Sequence, residues 1–182
     1  MNEQFPGAEN SNSLENFDAS SIFEMNPQLA EVGTEEQYVN YLNSIFPESK
    51  IRTIGNKGVP ENFIEEDKPS FYTFDMEAAK YYSSLREGTK VISAIFDFQK
   101  PLIVNAENPS PIAIVEANGN TIGTFNDKDI NEKIQLAGYD GLILNRKFGA
   151  PMEGWEVLSF SKDSRHILGT NEDVEKFKEF VG

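Results

Sequence analysis

The stretch Ser49–Phe63, SKIRTIGNKGVPENF, decides how this chain is read. Its KIRTI segment (residues 50–54) is a short strand candidate. Gly55-Asn56-Lys57-Gly58 then reads as a turn, and Pro60 follows. The competing reading is an altered nucleotide-binding loop, although no Gly-x-x-x-x-Gly-Lys-Ser/Thr pattern is present. Nothing inside the stretch separates the two. The choice rests on FYTFDMEAAKYY (71–82) and EGWEVLSF (153–160) downstream.

Upstream, Thr34 followed three residues later by Gln37 predicts a capping box. Tyr38, Tyr41, Leu42, Ile45 and Phe46 then recur at helical spacing, so a helix is expected over 34–46, stopped by Pro47. A shorter helix is expected around Pro27–Ala30, ended by Gly33. Residues 1–20 are rich in Asn, Ser and Glu without periodicity and are expected to be a disordered tail, leaving 21–182 as one domain.

Downstream, SFYTF reads as a strand, and Asp75 caps a helix MEAAKYYSSL with Ala78, Ala79, Tyr82 and Leu85 on one face. KVISAIFDF and KPLIVNA are strands, the second with its Pro at a sheet edge. Asn118-Gly119 between β-type runs signals a hairpin. DKDINEKIQLAG is a helix capped by Asn126 or Asp127 and closed by Gly138. YDGLILN and WEVLSF are strands, and NEDVEKFKEFV is a terminal helix with Val174, Phe177 and Val181 inward. Strands are numerous and not regularly separated by helices. An α+β class with a mixed or antiparallel sheet is therefore expected, rather than a doubly wound parallel one.

Composition narrows the chemistry. The 182 residues carry a formal charge of −14, which works against binding a nucleic-acid backbone. Solubility is the plain reason for such a charge, with a basic protein partner or mimicry of an anionic surface as alternatives. No run approaches the roughly eighteen apolar residues of a membrane span, and the N-terminus has no secretory-signal pattern. The absence of cysteine excludes disulfides, zinc-thiolate sites and thiol nucleophiles, and fits a reducing cytoplasm. The single histidine, His166, leaves too few ligands for a histidine metal site and is the one histidine a Ser-His-Asp triad could use, while the sequence holds no Gly-x-Ser-x-Gly nucleophile elbow. One carboxylate is oddly placed: Glu156 opens an apolar strand beside the only tryptophan, Trp155. A solvated strand-edge residue is one reading. A carboxylate beside an aromatic wall, suited to stabilising positive charge, is the other.

Five segments taken in order, IFEMNPQLAEVGTEEQYVNYLNSIFPESK, FYTFDMEAAKYY, VISAIFDFQKPLIVNAE, AGYDGLILN and WEVLSFSKDSRHILG, resemble the ADP-ribosyltransferase-like domain of polyvalent proteins from phages and conjugative elements. The resemblance runs from about Ser21 to Phe180. It implies a split mixed or antiparallel β-sandwich flanked by helices, NAD as co-substrate, no metal, no membrane, and a bacterial host cytoplasm or a virion as location. Glu156 matches the glutamate that stabilises the oxocarbenium-like ribose when the N-glycosidic bond breaks, a charge that calls for an anion. Thr73 matches a cleft-lining threonine, and Tyr82 a tyrosine that stacks on nicotinamide. Tyr81 and Tyr72 are alternatives one residue out of step. Laid on the family's Tyr-His-Gly-Thr segment, Asn56, Lys57, Gly58 and Val59 match only at the glycine. Lys57 stands for the histidine; it donates hydrogen bonds, cannot accept them, and could meet the pyrophosphate. The other register uses Arg52. Gly154 stands where arginine-modifying relatives carry a second glutamate, and Glu153 would point to the opposite face, so arginine is not the expected acceptor.

Three expectations follow. The first is NAD-dependent mono-ADP-ribosyl transfer to a protein or other acceptor, or NAD hydrolysis, by Glu156 with Lys57, Gly58, Tyr72, Thr73 and Tyr82 binding the dinucleotide. The second is a catalytically degenerate member acting as an acidic protein-binding module, motivated by the lost histidine. The third is an acidic mimic of nucleic acid that blocks a host enzyme, motivated by charge alone.

Overall fold

The structure, a computed structural model, describes residues 17–107, 111–147 and 154–182. Most of the expected tail, residues 1–16, lies outside them. Phe17 and Ala19 do not belong to a tail: both are buried against the first helices.

Helices α1 (Ser20–Met25) and α2 (Pro27–Val32) precede α3 (Glu35–Ile45). The chain expected only a short helix here; α1 forms because Ile22 and Phe23 find a core to pack on. The capping box is present, with Thr34 Oγ1 accepting from Gln37 N–H and Gln37 Oε1 accepting from Thr34 N–H.

The opening stretch departs from expectation. Residues 50–54 are not a strand, and the expected turn, Gly55 to Gly58, is part of strand β1 (Gly55–Pro60). β1 pairs along its whole length with β3 (Thr89–Phe96), from Gly55↔Ala94 to Pro60↔Thr89. Small residues permit this. A Cβ on Gly58 would stand 3.1 Å from Ser83 Cα, so the glycine lets helix α4 (Met76–Ser84) lie directly on the strand. Turn composition is a local signal, and close helix–strand packing overrides it here.

Strands β2 (Ser70–Thr73), β4 (Pro101–Ala106), β7 (Gly141–Arg146), β8 (Gly154–Ser159) and β9 (Arg165–Ile167) complete a seven-stranded sheet. Its order is β4-β7-β8-β2-β1-β3-β9. Only β4 and β7 are parallel; the other neighbours are antiparallel. Pro101 sits in an edge strand, as its missing N–H requires. The expected hairpin is β5 (Ala113–Val115) with β6 (Thr121–Thr124), and Gly119 takes φ +88 in its turn. The fold is thus α+β with a mixed, mostly antiparallel sheet and, among the described residues, six α-helices. The sheet is continuous but has a thin join: β1 and β2 share one register pair, Asn56↔Thr73.

Alternation gives the sheet two faces. On one face Leu102, Leu142, Leu144 and Leu158 pack with α5 (Ile130–Leu136) and the hairpin. At the far end of that face Ile95 packs with α1–α3 and α6 (Asn171–Val181). Tyr72, Phe96, Phe98, Ile143 and Val157 form the core of the other face.

Three helix expectations are corrected. The inward residues of α4 are Ala79 and Ser83; Tyr82 and Leu85 are exposed. Helix α5 starts at Ile130, and neither Asn126 nor Asp127 caps it, because the Asp127 carboxylate accepts from Thr124 N–H and Oγ1–H at 2.9 and 2.7 Å. In α6 Phe177 is buried as expected, but the other buried residue is Asp173, while Val181 is exposed.

Candidate functional site

One register row crosses six strands: Val104, Leu144, Glu156, Thr73, Asn56, Ser93. It begins apolar and turns polar at Glu156. The shared row puts Glu156 and Thr73 side by side on one face, as the sequence reading required. Next to them Asn56 and Ser93 are buried, with Ser93 Oγ donating to Asn56 Oδ1 at 2.8 Å. Thr73 Oγ1 accepts from Asp75 N–H at 3.1 Å, and Asp75 in turn caps α4. The site strand and the helix bearing Tyr81 and Tyr82 are therefore tied together through one turn.

Glu156 is half-buried, and Arg146 Nε donates to its Oε2 at 2.7 Å. Among the described residues Oε1 takes no hydrogen bond. The Arg146 guanidinium lies 5.4 Å from the Phe125 ring centre, and Phe125 meets Phe71 edge-on. Aromatic faces thus border the ion pair and limit its hydration. Sequence reasoning did not single out Arg146. The signal existed: Arg146 ends the apolar run of β7, whose partner β8 carries Glu156, so the two charges meet diagonally across the pair.

The remaining expected residues divide. Helix α4 packs over Gly58, on the face that Asn56 shares with Glu156, so Tyr82 stands on the Glu156 side of the sheet. Tyr82 is 40% exposed and meets Tyr81 edge-on at 5.7 Å. Gly58 itself is covered by Ser83 and serves packing. Lys57 and Tyr72 point to the opposite face. Lys57 Nζ lies 5.6 Å from the Tyr72 ring centre and donates to Ser70 Oγ. Neither shares a face with Glu156, because odd and even positions of β1 and β2 alternate across the Asn56↔Thr73 pair. Arg52 braces the core instead: it donates to the Pro47 carbonyl at 2.7 Å and covers the Phe17 ring. Gly154 opens β8, and Glu153 lies outside the described residues.

His166 belongs to another cluster. The carboxylate of Asp173, fully buried, accepts from the Tyr38 and Tyr41 hydroxyls and from Gly169 N–H, and pairs with His166 Nε2 at 2.7 Å. Burial, reinforced by Asp173, pushes the Tyr38 and Tyr41 phenols well above their ordinary pKa. The cluster joins α3, β9 and α6 and is a brace rather than a triad.

A cleft of about 720 Å³ opens elsewhere, along the β9 edge, with Phe63, Glu65, Ile92, Lys162, Arg165 and His166 in its walls. No family model, curated protein or solved structure matches the chain. No helix among the described residues is long and apolar enough to cross a membrane.

Proposed function

We propose that the chain is an NAD-dependent ADP-ribosyltransferase, or an NAD glycohydrolase when water is the acceptor, with Glu156 as its catalytic carboxylate. The observation that carries this reading is the placement of Glu156: half-buried, fixed through one oxygen by Arg146, with the other oxygen open, beside Thr73 and below the tyrosine-bearing helix α4. The thin join between β1 and β2 supports it as well, since a split sandwich would part there. In the proposed reaction the bond between ribose C1′ and the nicotinamide nitrogen breaks, and its electron pair leaves with nicotinamide. The ribose carries the positive charge. Glu156 Oε1 accepts a ribose hydroxyl and stabilises that charge, an acceptor lone pair forms the new bond to C1′, and the acceptor loses its proton. Tyr82 supplies a flat face for the nicotinamide. Lys57 and Tyr72 have no part, being on the other face.

The test is nicotinamide release from labelled NAD by wild type and by Glu156→Gln. Release should fall by at least a hundredfold in the variant, whose circular dichroism should be unchanged. Equal release from both proteins refutes the assignment. One observation favours the second reading, a binding module: the Arg146 guanidinium already neutralises the carboxylate. Absence of NAD binding to the wild type would select that reading.

A further inference from the structure

The face opposite Glu156 holds a cation with no counter-ion. Lys57 is half-buried between β1 and β2, and its hydrogen bond goes to Ser70 Oγ. In a chain of formal charge −14, no carboxylate among the described residues pairs with it. Burial lowers its pKa, and the charges that add to this, Arg165 and Lys68, are both cationic. Half-burying an ammonium without an acidic partner is costly.

Beside it stands an unsatisfied group. Tyr72 is 2% exposed, and its hydroxyl makes no hydrogen bond among the described residues. Both groups lie on the face whose next strand carries Ile92, the register partner of Lys57. Ile92, Arg165 and Glu65 line the 720 Å³ cleft, and the Arg165 and Glu65 charges act on Tyr72. Arg165 is already taken: its Nε donates to Glu65 Oε1 at 2.7 Å, and its other nitrogens donate to Lys68, Ser161 and Glu66 carbonyls and to Ser159 Oγ. It therefore does not need a ligand.

We propose that Lys57, Ser70 and Tyr72 form the anion-binding end of a second ligand site, whose ligand is a small molecule bearing one carboxylate and an apolar body. Burial singles out the lysine: a half-buried ammonium with no acidic partner among the described residues matches a carboxylate, and two hydroxyls supply its remaining donors. The apolar body reaches past Ile92 onto the Phe46, Phe63 and Ile167 side of the adjoining cleft, whose other walls are charged, with Lys90 and Lys162 among them. This site is independent of the NAD reading and lies on the opposite face.

The experiment is calorimetric titration of the intact protein with acetate, benzoate, inorganic phosphate and chloride, together with thermal unfolding in each. The expected result is saturable benzoate binding, tighter than acetate, with phosphate and chloride weaker. Lys57→Met should reduce benzoate affinity about tenfold or more, and Tyr72→Phe about threefold or more. Both variants should unfold in plain buffer no earlier than wild type, since one removes a half-buried ammonium with no acidic partner and the other a buried hydroxyl with no hydrogen bond. Lack of binding by wild type, equal binding by Lys57→Met, or phosphate binding tighter than either carboxylate would each overturn the proposal. A variant that unfolds early, with wild type failing to bind, would show that Lys57 only braces β1 on β2, which equally overturns it. Loss of NAD cleavage alone, with benzoate binding retained, would bear on Glu156 and not on this site.

Discussion

Asp173→Ala should be among the most destabilising single changes in the chain. Its carboxylate is fully buried and gathers four donors: the hydroxyls of Tyr38 and Tyr41, the backbone N–H of Gly169 at 2.7 Å, and His166 Nε2 at 2.7 Å. Truncation strands these donors unequally. Tyr41 Oη is already 3.4 Å from the Asp173 carbonyl and can turn to it, and the imidazole is partly exposed. Tyr38, at 0% exposure, and Gly169 N–H have no such substitute. Each stranded buried donor costs about 1–3 kcal/mol. Loss of a carboxylate from the first turn of α6 adds roughly 0.3–1 kcal/mol. The sum is about 4 kcal/mol, against a total stability on the order of 5–15 kcal/mol. Urea unfolding at neutral pH, followed by circular dichroism, measures it. A cycle with Tyr38→Phe isolates the cause: that change should cost about 1.5–3 kcal/mol in wild type, but little in the Asp173→Ala background, where the hydroxyl is already stranded. A loss under about 1.5 kcal/mol for Asp173→Ala, or the same Tyr38→Phe cost in both backgrounds, would refute the reasoning.

Two further outcomes follow from the sheet. Burial pushes the Tyr72 phenol from 10.0 up to about 12, so between those values the unfolded chain releases a proton that the folded one keeps. Stability from this group is full below pH 10 and is lost as pH rises toward 12; wild type should therefore lose about 2–3 kcal/mol more than Tyr72→Phe over that interval, and parallel urea midpoints for the two proteins would contradict it. Gly58→Ala places a methyl 3.1 Å from Ser83 Cα and Cβ, which are backbone-bound and cannot swing away. It should cost about 1–3 kcal/mol by overpacking in a urea titration and displace α4, whereas an unchanged midpoint would mean that α4 is not seated on β1.

Periodic segments were legible in the sequence, and the rest was legible only where a local signal and the tertiary contact agreed. The α3 capping box, the Asp75 cap, the Asn118-Gly119 turn and the Pro101 edge strand all appear because each acts within a few residues of itself. Gly55–Gly58 did not agree: its composition promises a turn, yet β3 and α4 supply partners that only the folded chain provides. The helix faces failed for a related reason. Asp173 and Ser83 are inward because a polar partner waits for each, Tyr38 and Tyr41 for the first and Thr89 Oγ1 for the second. Hydrophobic periodicity carries no information about such partners.

The candidate site shows the same division at the level of register. Glu156 and Thr73 were chosen from separate segments, and pairing of β2 with β8 puts them opposite one another. Lys57 stands one residue from Asn56, and Tyr72 one residue from Thr73, and that single step sends them to the other face of the sheet. Two charged groups then lie on opposite faces of one sheet, Glu156 on β8 and Lys57 on β1. On one face a carboxylate is held by Arg146; on the other an ammonium is held by nothing anionic. A dinucleotide laid against Glu156 cannot also reach Lys57 without passing through the β1–β2 join. Lys57 therefore bears on the second face, and the proposal of NAD chemistry stands or falls on Glu156, Thr73 and Tyr82 alone.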